Sequence, residues 1–190
     1  MKRLMLICIV LIVLFLMPSK RINVEDMQGS IPRGSLLWFG SPSAPELGQV
    51  VLISNPLDPS QERLVRIVAT QGHQIAFQRG IFLLNGVQFH HTDMKTDGEN
   101  HRIYKESVWD KDREKSWLIK VPNETKDVVM AAMVVPADHV FVACDNRASC
   151  LDSRWWGSIP TASIQRTLRA QLTIPDELHP FFQFYPSGSD

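Results

Sequence analysis

Hydrophobic and polar positions divide the chain into three regimes. Residues 4–17, LMLICIVLIVLFLM, form an unbroken apolar run flanked by Lys2 and Arg3 on one side and by Lys20 and Arg21 on the other. From residue 35 onward come short runs rich in β-branched and aromatic residues: SLLWFG, QVVLISN, RLVRIVA, HQIAFQ and IFLLNGVQF, then VVMAAMVV and HVFVAC. Each is bounded by Gly, Pro, Asn or Asp, a pattern that predicts strands and a mainly β domain. Residues 88–127 interrupt it with HHTDMKTDGENHRIYKESVWDKDREKSW, a polar, charged stretch that predicts an inserted excursion carrying a hairpin or small subdomain. A short helix is expected through ASIQRTLRA after residue 161, and residues 171–190 read as a loosely docked tail with Phe181, Phe182, Phe184 and Tyr185 available to pack or to touch lipid.

As a helix the apolar run rises only about 21 Å, less than the roughly 30 Å of a bilayer core, which is the length of a signal-peptide apolar region. Its flanks favour an anchor that stays. No small-Xaa-small cleavage site follows it, and Lys2, Arg3, Lys20 and Arg21 can reach both interfaces. Residues 1–21 are therefore expected to be a single-pass membrane anchor, with a cleaved signal as the other reading. The terminal amine, Lys2 and Arg3 put the N-terminus in the cytoplasm and the domain over residues 22–170 outside it, on a periplasmic or extracellular side.

Composition narrows the function. A chain of 190 residues with 44% hydrophobic content buries one sizeable core. Lys plus Arg and Asp plus Glu balance at 20 each, so no overall field draws the protein to nucleic acid. Cys8, Cys144 and Cys150 are too few for a disulfide-framework mini-protein. His90, His91, Asp93 and His101 fit no compact metal-ligand spacing, so neither metal nor cofactor is expected.

The densest chemistry lies in CDNRASCLDSRWWGSIP, residues 144–160. It resembles the signature of type I signal peptidases, Gly-Asp-Asn-Arg-x-x-Ser-x-Asp-Ser-Arg-aromatic-aromatic-Gly-x-Val/Ile-Pro, with Cys144 and Cys150 replacing a glycine and a serine. GSIPRGSLLW, LGQVVLISNP and LVRIVATQGHQIAFQRGIFLLNG are similar to further segments of that family, in the family's order. The resemblance spans residues 26–166 and implies a signal-peptidase-like β-sheet domain behind a membrane anchor.

It also implies a serine nucleophile activated by a neutral lysine, with an oxyanion hole of main-chain and hydroxyl donors. Two registers are open for the nucleophile. Ser30, Pro32 and Gly34 match the Ser-x-Pro-x-Gly pattern of the branch that processes conjugative-transfer pilins. Ungapped alignment to the housekeeping pattern instead puts Asp26 at the serine and Ser30 at a threonine. Counting back from the turn glycine Gly72 puts Val65 at the family's lysine and Arg66 at the arginine that follows. Valine accepts no proton, and guanidinium stays protonated. Lys95, Lys105 and Lys120 are remote candidates for a base, and His73 is the nearest imidazole. Cys150 stands where a serine orients the family's lysine. The framing residues persist: Asp145 to pair with Arg66, Asp152 with Arg154, Ser153 between them, and Arg147. The joint replacement of a glycine and a serine implies a Cys144–Cys150 disulfide in an oxidising compartment. One of Trp155 and Trp156, at the family's aromatic positions, is expected in the core. Leu36, Leu37, Trp38 and Phe39 are either buried strand or groove edge beside the bilayer.

Two functions follow. One is a membrane-anchored signal peptidase I-like serine endopeptidase, with Ser30 as nucleophile and an unassigned base. The other is a catalytically inactive relative that binds exported or pilus proteins as a chaperone or assembly factor. In both, the partners are leader or signal peptides of exported proteins and membrane lipid.

Overall fold

The computed structural model describes residues 24–123, 128–148 and 150–173. The expected anchor over residues 1–21 and nearly all of the expected tail lie outside them; among the described residues no helix is long and apolar enough to cross a membrane. The described chain is mainly β, as the alternating runs predict.

A six-stranded antiparallel sheet carries the site, in the spatial order β1 (Leu36–Gly40), β13 (Ile164–Leu172), β2 (Val50–Asn55), β3 (Asp58–Thr70), β11 (His139–Ala143) and β12 (Ile159–Pro160). Both faces of the β2–β3 pair are covered. Val51, Ile53, Val65 and Ile67 pack on one side with Val140 and Val142, while Val50, Leu52 and Leu64 pack on the other with Met27 and Ile31. A strand buried on both faces loses its polar alternation, which is why VVLI and LVRIVA read as nearly continuous apolar runs. Arg66 is the polar exception in the second run, and its partners define the site.

A second sheet, in the order β10 (Met130–Val134), β4 (Gln74–Gln78), β5 (Ile81–Leu84) and β6 (Val87–Gln88), closes the main core. The polar excursion folds as an antiparallel meander of β7 (His90–Asp97), β8 (His101–Asp110) and β9 (Arg113–Pro122). The meander carries ion pairs on both faces: Arg102 with Asp93 at 3.0 Å on the face of Glu106 and Val121, and Lys120 with Asp97 at 2.8 Å on the other. Its inner face gives Val108, Trp117, Ile119 and Val121 to the core that holds Phe82, Phe89 and Phe141. Inside that face Glu106 is fully buried, bonded to Trp117 Nε1 at 2.8 Å, to His91 Nε2 at 2.9 Å and to Arg147 of the signature segment. Arg147 is thereby a strut between the meander and the signature.

The helix expected through residues 162–170 is corrected: a 3-10 turn at Thr161–Ser163 leads into β13. The i, i+3 spacing of Ile164, Thr167 and Leu168 suits one helix face, but long-range pairing decides the outcome. β13 lies between β1 and β2 and hydrogen-bonds to both, and a helix there would leave two strand edges without partners.

The segment before β1 lies against β9 at Gly29. Its φ is +136°, and a Cβ there would stand 2.9 Å from the Lys120 main-chain nitrogen. Only glycine permits that approach.

Burial pushes the Glu106 carboxyl up, but Arg147 and His91 outweigh it and hold the group below its ordinary value. A depressed carboxyl contributes stability above its unfolded-state pKa and loses it as pH falls through the folded value. Denaturation midpoints should therefore drop in acid. Glu106→Gln should flatten that acid dependence while costing about 3 kcal/mol at neutral pH, because Arg147 is left without its counter-charge. Equal acid dependence in variant and wild type would exclude this role. Gly29→Ala should cost about 1–3 kcal/mol in the same measurement.

Candidate functional site

β11 ends at Ala143, and the signature segment leaves the sheet there before returning through a single-turn helix α1 (Ser153–Trp156). Asp152 caps that turn, accepting from Arg154 N at 3.1 Å and from Cys144 N at 3.0 Å, while the Arg154 guanidinium grips the same carboxylate at 2.8 Å. The Ser153 hydroxyl accepts Val142 N at 3.0 Å. Asn146 N donates to Asp26 O at 2.9 Å and its side chain donates to Glu25 O at 3.2 Å, clamping the N-terminal segment to the signature.

Alternation along β3 separates two clusters. Arg66 is on one face. Its Nε reaches Asp145 Oδ1 at 2.8 Å, Nη2 reaches Oδ2 at 2.6 Å, and Nη1 donates to Gly48 O at 2.7 Å, with the guanidinium over the Trp117 ring. Ser30 belongs to this cluster. Its hydroxyl donates to Asp145 Oδ2 and accepts from Arg66 Nη2 at 3.0 Å.

Val65 points to the opposite face and is fully buried among Val51, Ile67, Val142, Cys144 and Cys150. Arg63, two residues earlier and so on the same face, pairs with Asp26 at 2.9 Å and brings Nη1 to 3.9 Å from Cys150 Sγ. Cys144 and Cys150 are joined by a disulfide, with Cα atoms 6.2 Å apart. An Asp26 carboxylate oxygen and both sulfurs lie within 4.8 Å of one another. Burial pushes the Asp26 carboxyl above its ordinary value, outweighing the opposing pull of Arg63.

The structure thus brings Val65 and Cys150 together with Asp26, and brings Ser30 to Arg66 and Asp145 instead. Asp26 is the residue that the ungapped register sets at the nucleophile position. Of the other candidate bases, Lys120 is paired with Asp97, Lys95 and Lys105 are exposed on the meander, and His73 Nδ1 accepts Thr70 N at 3.2 Å. Trp155 is exposed, whereas Trp156 packs against the Val65 cluster. Leu37 and Phe39 of β1 pack beside Met27. His91 and Asp93 are engaged by Glu106 and Arg102.

Asp26, Cys144 and Cys150 are the described donors whose spacing suits a cation. With the sulfurs bonded to each other, no thiolate is free, and Arg63 already holds the carboxylate. A separate cleft of about 610 Å³ is lined by Arg79, His91, Arg102, Tyr104 and Asn123 among others, none of them from either cluster.

Sequence reasoning missed Arg63 and Glu106. The signal for Arg63 was present, since strand alternation puts it on Val65's face. For Glu106 there was none beyond its place in a strand whose partners only the fold reveals.

Residues 2–172 match the family described as signal peptidase, peptidase S26. The chain belongs to that family. A crystal structure of a signal peptidase I from Enterococcus faecalis V583 is similar to it at 20% identity and a TM-score of 0.42, covering 68% of this chain and 100% of that one. No curated protein matches the sequence.

Thiol labelling of denatured, unreduced protein should modify Cys8 and spare Cys144 and Cys150. The Cys144→Ala, Cys150→Ala double variant should lose roughly 2 kcal/mol in chemical denaturation, the chain-entropy value for so short a loop. Labelling of both positions, with unchanged stability in the double variant, would show that no such bond forms.

Proposed function

We propose that this chain is a non-hydrolysing signal-peptidase homologue, anchored in a membrane with its domain outside the cytoplasm, that binds leader peptides of exported proteins as a chaperone or assembly factor. The observation that carries this reading is the burial of Val65 beside Cys150, in a cluster that offers Asp26 and Arg63 but, among the described residues, no lysine. Serine attack needs a neutral base within hydrogen-bond reach. Ser30 has an anionic carboxylate and a cationic guanidinium as its hydroxyl partners. Both oxygens of that carboxylate already accept from Arg66.

An extended peptide has a place to dock. β11 pairs with β3 only over residues 66–70, so among the described residues the preceding half of β3 has an open edge on that side, next to Asp26 and Arg63. Open edges accept an added strand through main-chain hydrogen bonds. Exposed Leu151 and Trp155 lie on the signature segment just after Cys150, which Arg63 approaches, and supply apolar contact for a leader or for lipid.

A peptidase reading rests on the Ser30–Asp145 hydrogen bond, with the carboxylate as base. The two separate in one experiment. Full-length protein in membranes is mixed with a leader-bearing substrate carrying a photo-crosslinker, and both shortening and crosslinking are followed by mass spectrometry. Crosslinks without shortening are expected. Cleavage that Ser30→Ala abolishes would establish the peptidase, and absence of crosslinks would remove the binding role.

Engineering gives a second check on the two faces of β3. Val65→Lys alone should not create cleavage, because the new amine would face Asp26 rather than Ser30. Adding Asp26→Ser, Cys144→Gly and Cys150→Ser should give cleavage above background, since a positioned base is worth about 10²- to 10⁴-fold. Cleavage by Val65→Lys alone that depends on Ser30 would contradict this arrangement.

A further inference from the structure

The Cys144–Cys150 disulfide has neighbours that a purely structural crosslink does not need. Its sulfurs lie in an apolar cluster of Val51, Val65, Ile67 and Val142, yet the Asp26 carboxylate lies within 4.8 Å of them and Arg63 Nη1 is 3.9 Å from Cys150 Sγ. Holding a carboxyl and a guanidinium at this depth has a desolvation cost, and hydrophobic side chains would pack the disulfide without it. The two sulfurs also differ in access: Cys144 is fully buried, while Cys150 is 7% exposed and follows the exposed Ala148 in the loop between β11 and α1.

We propose that Cys144–Cys150 is a redox-active disulfide that exchanges with a pair of thiols on an extended polypeptide client, with Asp26 as proton donor and acceptor and Arg63 as the counter-charge for the Cys150 thiolate. This activity goes beyond leader-peptide binding and does not depend on it. A client thiolate attacks Cys150 Sγ, on the less buried of the two cysteines. A client–Cys150 disulfide forms and the Cys144–Cys150 bond breaks, its electron pair leaving on Cys144 Sγ, which takes the proton of the Asp26 carboxyl. The client's second thiol loses its proton to the Asp26 carboxylate and attacks its own first sulfur. The mixed disulfide breaks, and Cys150 leaves as a thiolate beside Arg63, where positive charge favours that form. The client gains an internal disulfide and loses two electrons; Cys144 and Cys150 gain them, one as thiol and one as thiolate.

The groups facing Asp26 agree with its role. Burial raises its carboxyl, Glu25 beside it and Asp152 from the signature raise it further, and Arg63 from β3 opposes them. A proton is thereby retained at higher pH than on an exposed aspartate, as a donor to a leaving sulfur requires.

The test uses the oxidised full-length protein in detergent and a synthetic extended peptide bearing two cysteines, with native-state alkylation and mass spectrometry as readout. The expected result is that one equivalent of peptide disulfide appears for each Cys144–Cys150 pair reduced. Asp26→Asn should exchange about 10²-fold more slowly, the lower end of general acid–base assistance. The wild-type rate, corrected for the fraction of peptide thiolate, should fall as pH rises through the Asp26 titration, and Asp26→Asn should lose that step. Reduced Cys144→Ser, given the oxidised peptide, should hold a mixed disulfide at Cys150, and Cys150→Ser should hold none. The proposal fails if the native bond resists an excess of peptide that reduces it once the protein is unfolded. It also fails if Asp26→Asn keeps the wild-type rate and pH profile.

Discussion

The buried pair of Arg66 and Asp145 is the constraint on which the rest of the structure depends. Asp145 is 1% exposed and meets the guanidinium through two bonds, at 2.8 and 2.6 Å. The same Arg66 holds the Gly48 carbonyl and the Ser30 hydroxyl, and the Asp145 main chain accepts Lys120 N of β9. One ion pair thus joins the central sheet, the meander, the signature segment and the chain that enters from the N-terminal side. Removing either partner leaves a charge under the surface, which is far more costly than the net worth of the pair. Such a frame is retained whether or not any bond is cut beside it.

The opposite face of β3 carries a separate cluster. Strand alternation directs Arg63 and Val65 away from Arg66, toward Asp26, Cys144 and Cys150. In the ungapped register of the family resemblance, the positions of nucleophile, lysine and orienting serine at this face hold an aspartate, a valine and a half-cystine. The substitutions are mutually consistent. Val65 extends the apolar cluster, Arg63 pairs with Asp26, and the disulfide fixes the loop before α1.

The strands were legible because their runs are short, β-branched and punctuated, and the end of the signature was legible because its aspartate and arginine there are local partners, whereas Asp145 and Arg147 meet Arg66 and Glu106 from other strands. Asp152 and Arg154 meet two residues apart, so spacing alone announces them. The choice between Ser30 and Asp26 was not legible. Both lie on one short segment, and which of them meets Val65's face depends on how Gly29 lets that segment approach β9, a long-range contact that no local pattern encodes. The misread helix after residue 161 has the same cause: β13 exists because β1 and β2 each need a neighbour. Glu106 was hidden for a related reason, since a charged residue in a polar stretch reads as solvated until Arg147, His91 and Trp117 arrive from other elements.

The central proposal is that Ser30 is a structural hydroxyl and not an activated nucleophile. Its most direct test is the intact and peptide-mapped mass of the full-length protein after exposure to a leader peptide ending in a serine-directed phosphonate electrophile. The account predicts no adduct on Ser30 at concentrations and times that fully modify an active serine peptidase. Stoichiometric phosphonylation of Ser30 would contradict it.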